Sequence, residues 1–418
     1  MEVEPPTRDE VLQLILCQLS EYGFANLSQA IATHTNVPMT TDSNSRLAEL
    51  VRLGLQSEKQ TGGGSVREAD EVSEEADDGG IDLSKSAQRD VVARAPHYRV
   101  WYKTRHKGVA TAAAFSRDGR YIATGSADMS LKLIDVDKVR SPLSGSARRE
   151  DKPVIRTLYH HDSEITGMAF HPNGLVLASC SADRTVKLFD ISAAYGKHSF
   201  QSFRDNFVYR SITFHPSGEF LAAGGDGHEV RLYNVRTAKA YLLSAGNGPG
   251  LGQHSAGVTQ VAYANSGSLI ASSSCDGSVK IWDGVSGKCV RSIDRAHSGQ
   301  AVTAVAFSRS GSYVLTTGLD SVVGLWETGS GRLMQSYSGA GLDGMDAQAV
   351  FSHDEALVLA PDAKTNSVAV WDAASGRLLG KGAEHKQRIT RIAASPVSPA
   401  FMSCSVDECV RYWSADST

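Results

Sequence analysis

The chain has 418 residues, of which 41% are hydrophobic and 21% charged, and a formal net charge of −4. No apolar run approaches the about 20 residues of a membrane-spanning helix, and the first residues lack the basic start and apolar stretch of a secretory leader. Six cysteines (Cys17, Cys180, Cys275, Cys289, Cys404, Cys409) form no C-x-x-C pair. They read as buried free thiols of a reducing compartment, and no metal or cofactor is expected. The charge is uneven: residues 1–56 carry three basic and seven acidic side chains, 57–95 five and ten, and 96–418 carry 34 and 29. A surplus of that size, spread over the longest segment, is not the concentrated basic face that nucleic acid binding uses.

The first 56 residues read as helical. Thr7-Arg8-Asp9-Glu10 has the form of a capping box, preceded by Pro5-Pro6 and followed by an apolar run. Val11, Leu12, Ile15, Leu16 and Leu19 then fall on one stripe of a helix that stops near Tyr22-Gly23-Phe24. A second helix is expected over 27–33, with Leu27 and Ile31 inward, and a third over 45–55, with Leu47, Leu50 and Val51 inward. So short a segment cannot bury this much aliphatic surface alone. Residues 1–56 are therefore expected to form a homodimerisation domain whose isologous interface uses these ten apolar residues.

Residues 57–96 are expected to be a disordered linker. Between Glu68 and Asp82 stand eight carboxylates and no Lys or Arg, flanked by glycine runs.

From residue 97 onward the sequence repeats. LKLID, VKLFD, VRLYN, VKIWD, VGLWE, VAVWD and VRYWS place their penultimate residues at Ile134, Phe189, Tyr233, Trp282, Trp326, Trp371 and Trp413, with spacings of 55, 44, 49, 44, 45 and 42. A period in the forties closed by Trp-Asp marks WD40 repeats, each of four strands. Seven copies make a full ring. The fold class expected is mainly β: a seven-bladed propeller over 97–418, preceded by the small helical domain.

A second pattern runs inside the repeats. His106, His161, His254 and His385 each precede an Asp by 22 residues (Asp128, Asp183, Asp276, Asp407), and His297 precedes Asp320 by 23. Four residues before each Asp stands a hydroxyl: Thr124, Ser179, Ser272, Thr316 or Ser403. His, Ser and Asp together suggest a hydrolytic triad, but an active site is needed once and this set recurs. The expected role is a buried chain in which Asp binds His, His binds the hydroxyl, and the hydroxyl accepts from the Trp indole. Complete sets end at Trp282, Trp326 and Trp413; the first two repeats hold partial sets. The third and sixth repeats have no His in place and are expected to lack the network.

Between each His and Asp, segments such as TAAAFSRDGRYIATGSAD (111–128) show two apolar runs joined by a glycine turn, a hairpin pattern. The last repeat needs a fourth strand, and 97–104 (HYRVWYKT) alternates suitably to supply it and close the ring. Trp101 then reads as a packing residue of that closure.

The stretch VLQLILCQLSEYGFANLSQAIA (11–32) is similar to the LisH class of helical dimerisation motifs. More specifically, the chain resembles the WD40-repeat subunits of cleavage stimulation factor, of pre-mRNA 3′-end processing. The residues that carry this likeness include GIDL (80–83), PVIRTLYHH (153–161), RSITFHPSGEF (210–220), WDGVSGKC (282–289), YSGAGLDG (337–344), QAVFSH (348–353) and LAPD (359–362). The resemblance implies a nuclear, non-enzymatic scaffold that dimerises through residues 1–56. It also implies a propeller docked on a helical-repeat bridging subunit, with RNA binding belonging mainly to another subunit. Which propeller surface docks a partner is not readable. A LisH-type WD40 adaptor of another complex, such as a ubiquitin-ligase substrate receptor or a motor adaptor, is the alternative.

Overall fold

The computed structural model describes residues 96–140, 152–192, 198–244 and 251–415. The helices and dimer face expected over 1–56, and the acidic stretch up to residue 95, lie outside the described residues. Among the described residues, twenty-eight strands form seven four-stranded antiparallel sheets. Six are built from consecutive strands, the first from Ala110–Phe115, Tyr121–Ser126, Ser130–Asp135 and Val154–Tyr159. The seventh takes three strands from the end of the chain and its outermost strand, β1 (Tyr98–Arg105), from the beginning. β1 runs antiparallel to Cys409–Ala415, from Tyr98 opposite Ala415 to Arg105 opposite Cys409. The ring is thereby closed by strand pairing between distant parts of the chain.

Alternation explains why these segments form blades. Second strands such as Val176–Ser181 are buried almost throughout, because neighbouring blades cover both of their faces. The core accordingly consists of seven apolar clusters, one at each seam between blades. At one seam Leu131 and Leu133 meet Ile165, Leu177 and Phe189; at the closing seam Ile122 and Ile134 meet Met402, Val410 and Tyr412. Each fully buried side chain of this size contributes about 1.5–3 kcal/mol. Because no cluster belongs to one blade, the ring is stabilised only as a whole.

The innermost strands share a device that the repeat spacing did not announce. In six blades the pairing of the first two strands slips after the first residue, and the displaced residue is Thr111, Thr166, Arg210, Thr259, Thr303 or Thr390. Each threonine hydroxyl donates to a carbonyl of the next blade. Thr166 reaches Tyr209 O at 2.6 Å, Thr259 reaches Val302 O at 2.6 Å, and Thr303 reaches Ala347 O at 2.7 Å. Thr111 donates likewise to Ile165 O, and Thr390 to Ala110 O across the closing seam. At Arg210 the link is missing, because its guanidinium turns to Asp226.

Candidate functional site

The repeated His, hydroxyl, Asp and Trp positions converge in the structure. His254 Nε2 lies 2.8 Å from Ser272 Oγ, its Nδ1 lies 3.2 Å from Asp276, and the Trp282 indole donates to Ser272 Oγ at 2.8 Å. His297, Thr316, Asp320 and Trp326 repeat this at 2.8, 3.0 and 2.8 Å. His385, Ser403, Asp407 and Trp413 do so at 2.7, 3.1 and 2.7 Å. In the second blade His161 sits 2.7 Å from Ser179 and 2.8 Å from Asp183, while Phe189 fills the indole position.

The first blade departs from the expected pairing. His106 Nδ1 is 2.8 Å from Ser130 Oγ but 3.8 Å from Asp128. Asp128 instead accepts the backbone amides of Lys107 at 2.7 Å and Ser130 at 2.9 Å, so a hydroxyl is inserted between acid and imidazole. His106 Nε2 keeps its place 2.9 Å from Thr124.

Burial acts on the protonation of three of these imidazoles. It pushes His106 and His385 down to about 4, helped by the nearby Lys132 and Arg411 cations respectively, and it lowers His297 as well. Burial opposes ionisation of Asp407, but the amides of Lys386 and Cys409, with His385, outweigh it and hold the carboxyl at about 2. An imidazole held at both ring nitrogens in five blades, between an acid and a hydroxyl in four of them, is a crosslink. The central cavity, bounded by Thr111, Thr166, Arg210, Thr259, Thr303 and Arg391 among others, encloses only about 120 Å³. Ordinary ligand pockets run from about 300 Å³ upward. Arg391 spans this space, donating to Gln348 Oε1 at 2.7 Å and Thr166 O at 3.2 Å.

The third and sixth blades lack the His-centred set, as their sequence implies, and other polar clusters stand in its place. In the third, Asp205 follows the outer strand of the second blade, where other blades place His. Its Oδ2 accepts from Tyr209 at 3.3 Å and Tyr233 at 3.2 Å, the two phenols lie 2.6 Å apart, and Arg231 pairs with the same carboxylate. Burial and the neighbouring phenol push the Tyr209 hydroxyl far up, so it stays a donor.

In the sixth blade Pro361 occupies the hydroxyl position, and the Trp371 indole donates instead to Ser338 O at 2.9 Å. Asp362 has no exposed surface. It accepts the Gly341 amide at 2.8 Å, Thr365 Oγ1 at 2.7 Å and Lys381 Nζ at 2.6 Å. Burial disfavours its charge, but Lys381, Thr365 and the amides of Gly341 and Lys364 hold it at about 2. YSGAGLDG and LAPD, far apart in the repeat scheme, thus meet in one buried cluster.

Two further expectations change. Trp101 is not packed into the closure: it is 51% exposed, at the point where the pairing of β1 with Cys409–Ala415 slips. Among the described cysteines, Cys180, Cys289, Cys404 and Cys409 are buried and free, but Cys275 is exposed. Among the described residues no group of three or more His, Cys, Asp or Glu side chains could hold a metal ion.

Seven radial four-stranded sheets with a repeated His–hydroxyl–Asp–Trp crosslink define a WD-repeat β-propeller. The WD domain, G-beta repeat, family matches residues 99–135, 152–190, 197–234, 250–283, 287–327 and 376–414. The match passes over the first three strands of the sixth blade, where the Asp362 cluster replaces the usual set. Cleavage stimulation factor subunit 50 of Arabidopsis thaliana is 36% identical over 411 residues, covering 96% of this chain and 94% of that protein, and the chain belongs to its family. Likeness to other propeller proteins is partial. Protein HIR1 of Yarrowia lipolytica is 30% identical over 32% of this chain and 13% of its own length. Pre-mRNA-processing factor 19 homolog 2 of Arabidopsis thaliana is 25% identical over 43% of this chain and 31% of its own length.

Proposed function

We propose that the chain is the WD40 scaffold subunit of a cleavage stimulation factor and acts in the nucleus in pre-mRNA 3′-end cleavage and polyadenylation. The observation that carries this reading is the reach of the likeness, 96% of the chain rather than the ring alone. A generic adaptor would share the repeats, whereas YSGAGLDG and LAPD build a sixth-blade core that the repeat family does not describe.

The protein is a non-enzymatic scaffold under this reading. Its acid–imidazole–hydroxyl sets serve the blades that contain them, and its outer loops are left to bind partners, the helical-repeat bridging subunit and through it the RNA-binding subunit. Residues 1–56 dimerise, with Leu12, Leu16 and Leu19 at the interface. A dimer that engages two weak contacts at once gains about 10²- to 10⁴-fold in avidity.

The test is a cleavage assay in nuclear extract immunodepleted of this chain. Add-back of the wild-type chain restores cleavage of a polyadenylation substrate. Leu16→Asp, monomeric by light scattering and with an unchanged propeller melting transition, restores it poorly. Full cleavage in the depleted extract sinks the reading.

A further inference from the structure

Consecutive blades carry a cation at one repeated position. Lys239, Lys288, Arg332 and Arg377 stand immediately before the outermost strands of the third, fourth, fifth and sixth blades. Their backbone carbonyls accept the amides of Asn234, Asp283, Glu327 and Asp372, the last residues of the terminal dipeptides, at 2.8–2.9 Å. The four positions are therefore equivalent, and all four residues are exposed on the same rim of the ring. In the first blade Pro153 takes this place, with its carbonyl on the Asp135 amide. Within three residues of each cation follow exposed apolar side chains. These are Tyr241 and Leu242, Val290, Leu333 and Met334, and Leu378, each between 37% and 53% exposed.

The cations are not spent within the ring. Among the described residues, no hydrogen bond or ion pair engages any of the four side chains. The acids of the same turns are used locally. Asp283 Oδ2 accepts the Ser286 amide at 3.0 Å, Asp372 Oδ2 the Ser375 amide at 2.9 Å, and Glu327 Oε2 the Ser330 hydroxyl. In the third blade the residue is Asn234, which carries no charge. The rim is also continuous from blade to blade. Ser244 N donates to Gly287 O at 2.8 Å, Arg291 Nη1 donates to Ser330 O at 2.9 Å, and a Cβ on Gly376 would stand 3.1 Å from Ser336 O. Cations on an outer edge discourage strand pairing, and scattered apolar side chains are ordinary on a surface. Neither accounts for the two together in four blades running.

We propose that this rim docks a segment of a partner protein in which carboxylates are interspersed with aliphatic side chains. Charge complementarity calls for the carboxylates, since four cations face no acid of their own chain. The apolar side chains are aliphatic in all but Tyr241, so a nucleic acid would find one stacking platform along the whole rim. In the fourth, fifth and sixth blades the pairing slips at Val290, Met334 and Leu379, two residues after the cation. Those bulges interrupt the free edge, so the segment is held by side chains and not by strand addition. Each contact is weak on its own, and repetition along one segment supplies the affinity. The inference does not depend on which complex the chain serves.

The experiment is fluorescence anisotropy of a fluorescein-labelled twenty-eight-residue peptide, a repeat of Asp-Leu-Asp-Ser, with the full-length chain at 50 mM salt. The wild type binds it measurably. Lys239→Gln with Lys288→Gln, and Arg332→Gln with Arg377→Gln, each weaken binding by about two- to thirtyfold at an unchanged melting temperature. Leu242→Ser with Met334→Ser weakens it by about tenfold or more. Lys107→Gln with Lys386→Gln, exposed cations at the far ends of outermost strands, leaves it unchanged. No binding by the wild type overturns the proposal, as does an equal loss from the Lys107 and Lys386 pair. An Asp-Ser peptide of the same length and charge that binds equally well removes the apolar half of the argument and overturns it too. Tighter binding of a mixed-sequence 20-nucleotide RNA overturns it in favour of a nucleic acid. Rim variants that lower the mass of the chain in light scattering overturn it in favour of a second copy.

Discussion

Lys381 Nζ stands 2.6 Å from Oδ2 of Asp362, a residue with no exposed surface, in the blade whose first three strands fall outside the family match. The lysine comes from the outermost strand, Leu378–Ala383, and also donates to Gly339 O at 2.8 Å. It therefore ties the strand to the loop that enters the blade, the task that the imidazole performs in other blades.

Removing Lys381 leaves the buried Asp362 carboxylate without its cation, and because the lysine side chain is 29% exposed the cost falls short of a fully buried pair, at about 1–3 kcal/mol. Lys381→Met should lower stability by that much in urea unfolding, and Lys381→Arg by less. A loss below about 1 kcal/mol for Lys381→Met would show that the Gly341 and Lys364 amides alone satisfy Asp362.

In the fourth blade Ser272 Oγ is the shared partner of His254 Nε2 and Trp282 Nε1. Ser272→Ala leaves both nitrogens buried and unsatisfied, a loss of about 2–6 kcal/mol at about 1–3 for each group. Tyr233→Phe in the third blade, by contrast, leaves Tyr209 still bonded to Asp205. Its cost should be nearer 1 kcal/mol, and chemical denaturation of the two variants side by side checks the order.

Acid sensitivity follows from the buried imidazoles. His106 and His385 are held near about 4 against an ordinary value of 6.5. Above pH 6.5 both folded and unfolded chains carry them neutral, and they add no pH dependence. Below pH 6.5 the unfolded chain takes up protons that the folded chain refuses, so stability falls steadily toward pH 4. Asp362 and Asp407, held at about 2, then extend the loss as pH falls below the ordinary carboxylate range. A melting temperature that stays flat between pH 7 and 4.5 would contradict this, and His385→Gln should lessen the slope.

Turn geometry makes a fourth expectation. Met129, Arg184, Ser321 and Glu408, each next to the turn Asp of its blade, all have φ between 63° and 65°, the left-handed region. Met129→Gly should be neutral or stabilising by up to about 1 kcal/mol, because relief of side-chain crowding exceeds the added chain entropy. Gly218→Ala should do the opposite: with φ at +82°, its Cβ would stand 2.1 Å from His171 Nε2. Thermal melts of the two variants should therefore move in opposite directions.

The sequence made the ring and its blade number legible, because the terminal dipeptide and the His-to-Asp spacing are governed by local hairpin geometry that repeats. The same pattern found the crosslinks in five blades. It could not show that Ser130 enters between His106 and Asp128, since that depends on how one side chain rotates in a turn. Nor could it show the substitutes in the third and sixth blades, where Asp205 and Asp362 do the work of His from different chain positions. A signal for the threonine stitches was present: Thr111, Thr166, Thr259 and Thr390 each stand five residues after a repeat His. Trp101 was misjudged because alternation puts it on the face opposite Tyr98, Val100 and Tyr102, and on this outermost strand that face meets solvent.

The central claim is that this propeller is a cleavage stimulation factor scaffold, and affinity purification of the tagged full-length chain from its own cells, read by mass spectrometry, tests it most directly. The account predicts recovery of the helical-repeat bridging subunit and its RNA-binding companion in near-stoichiometric amounts. Recovery of ubiquitin-ligase or motor components with no 3′-end processing factors would contradict it.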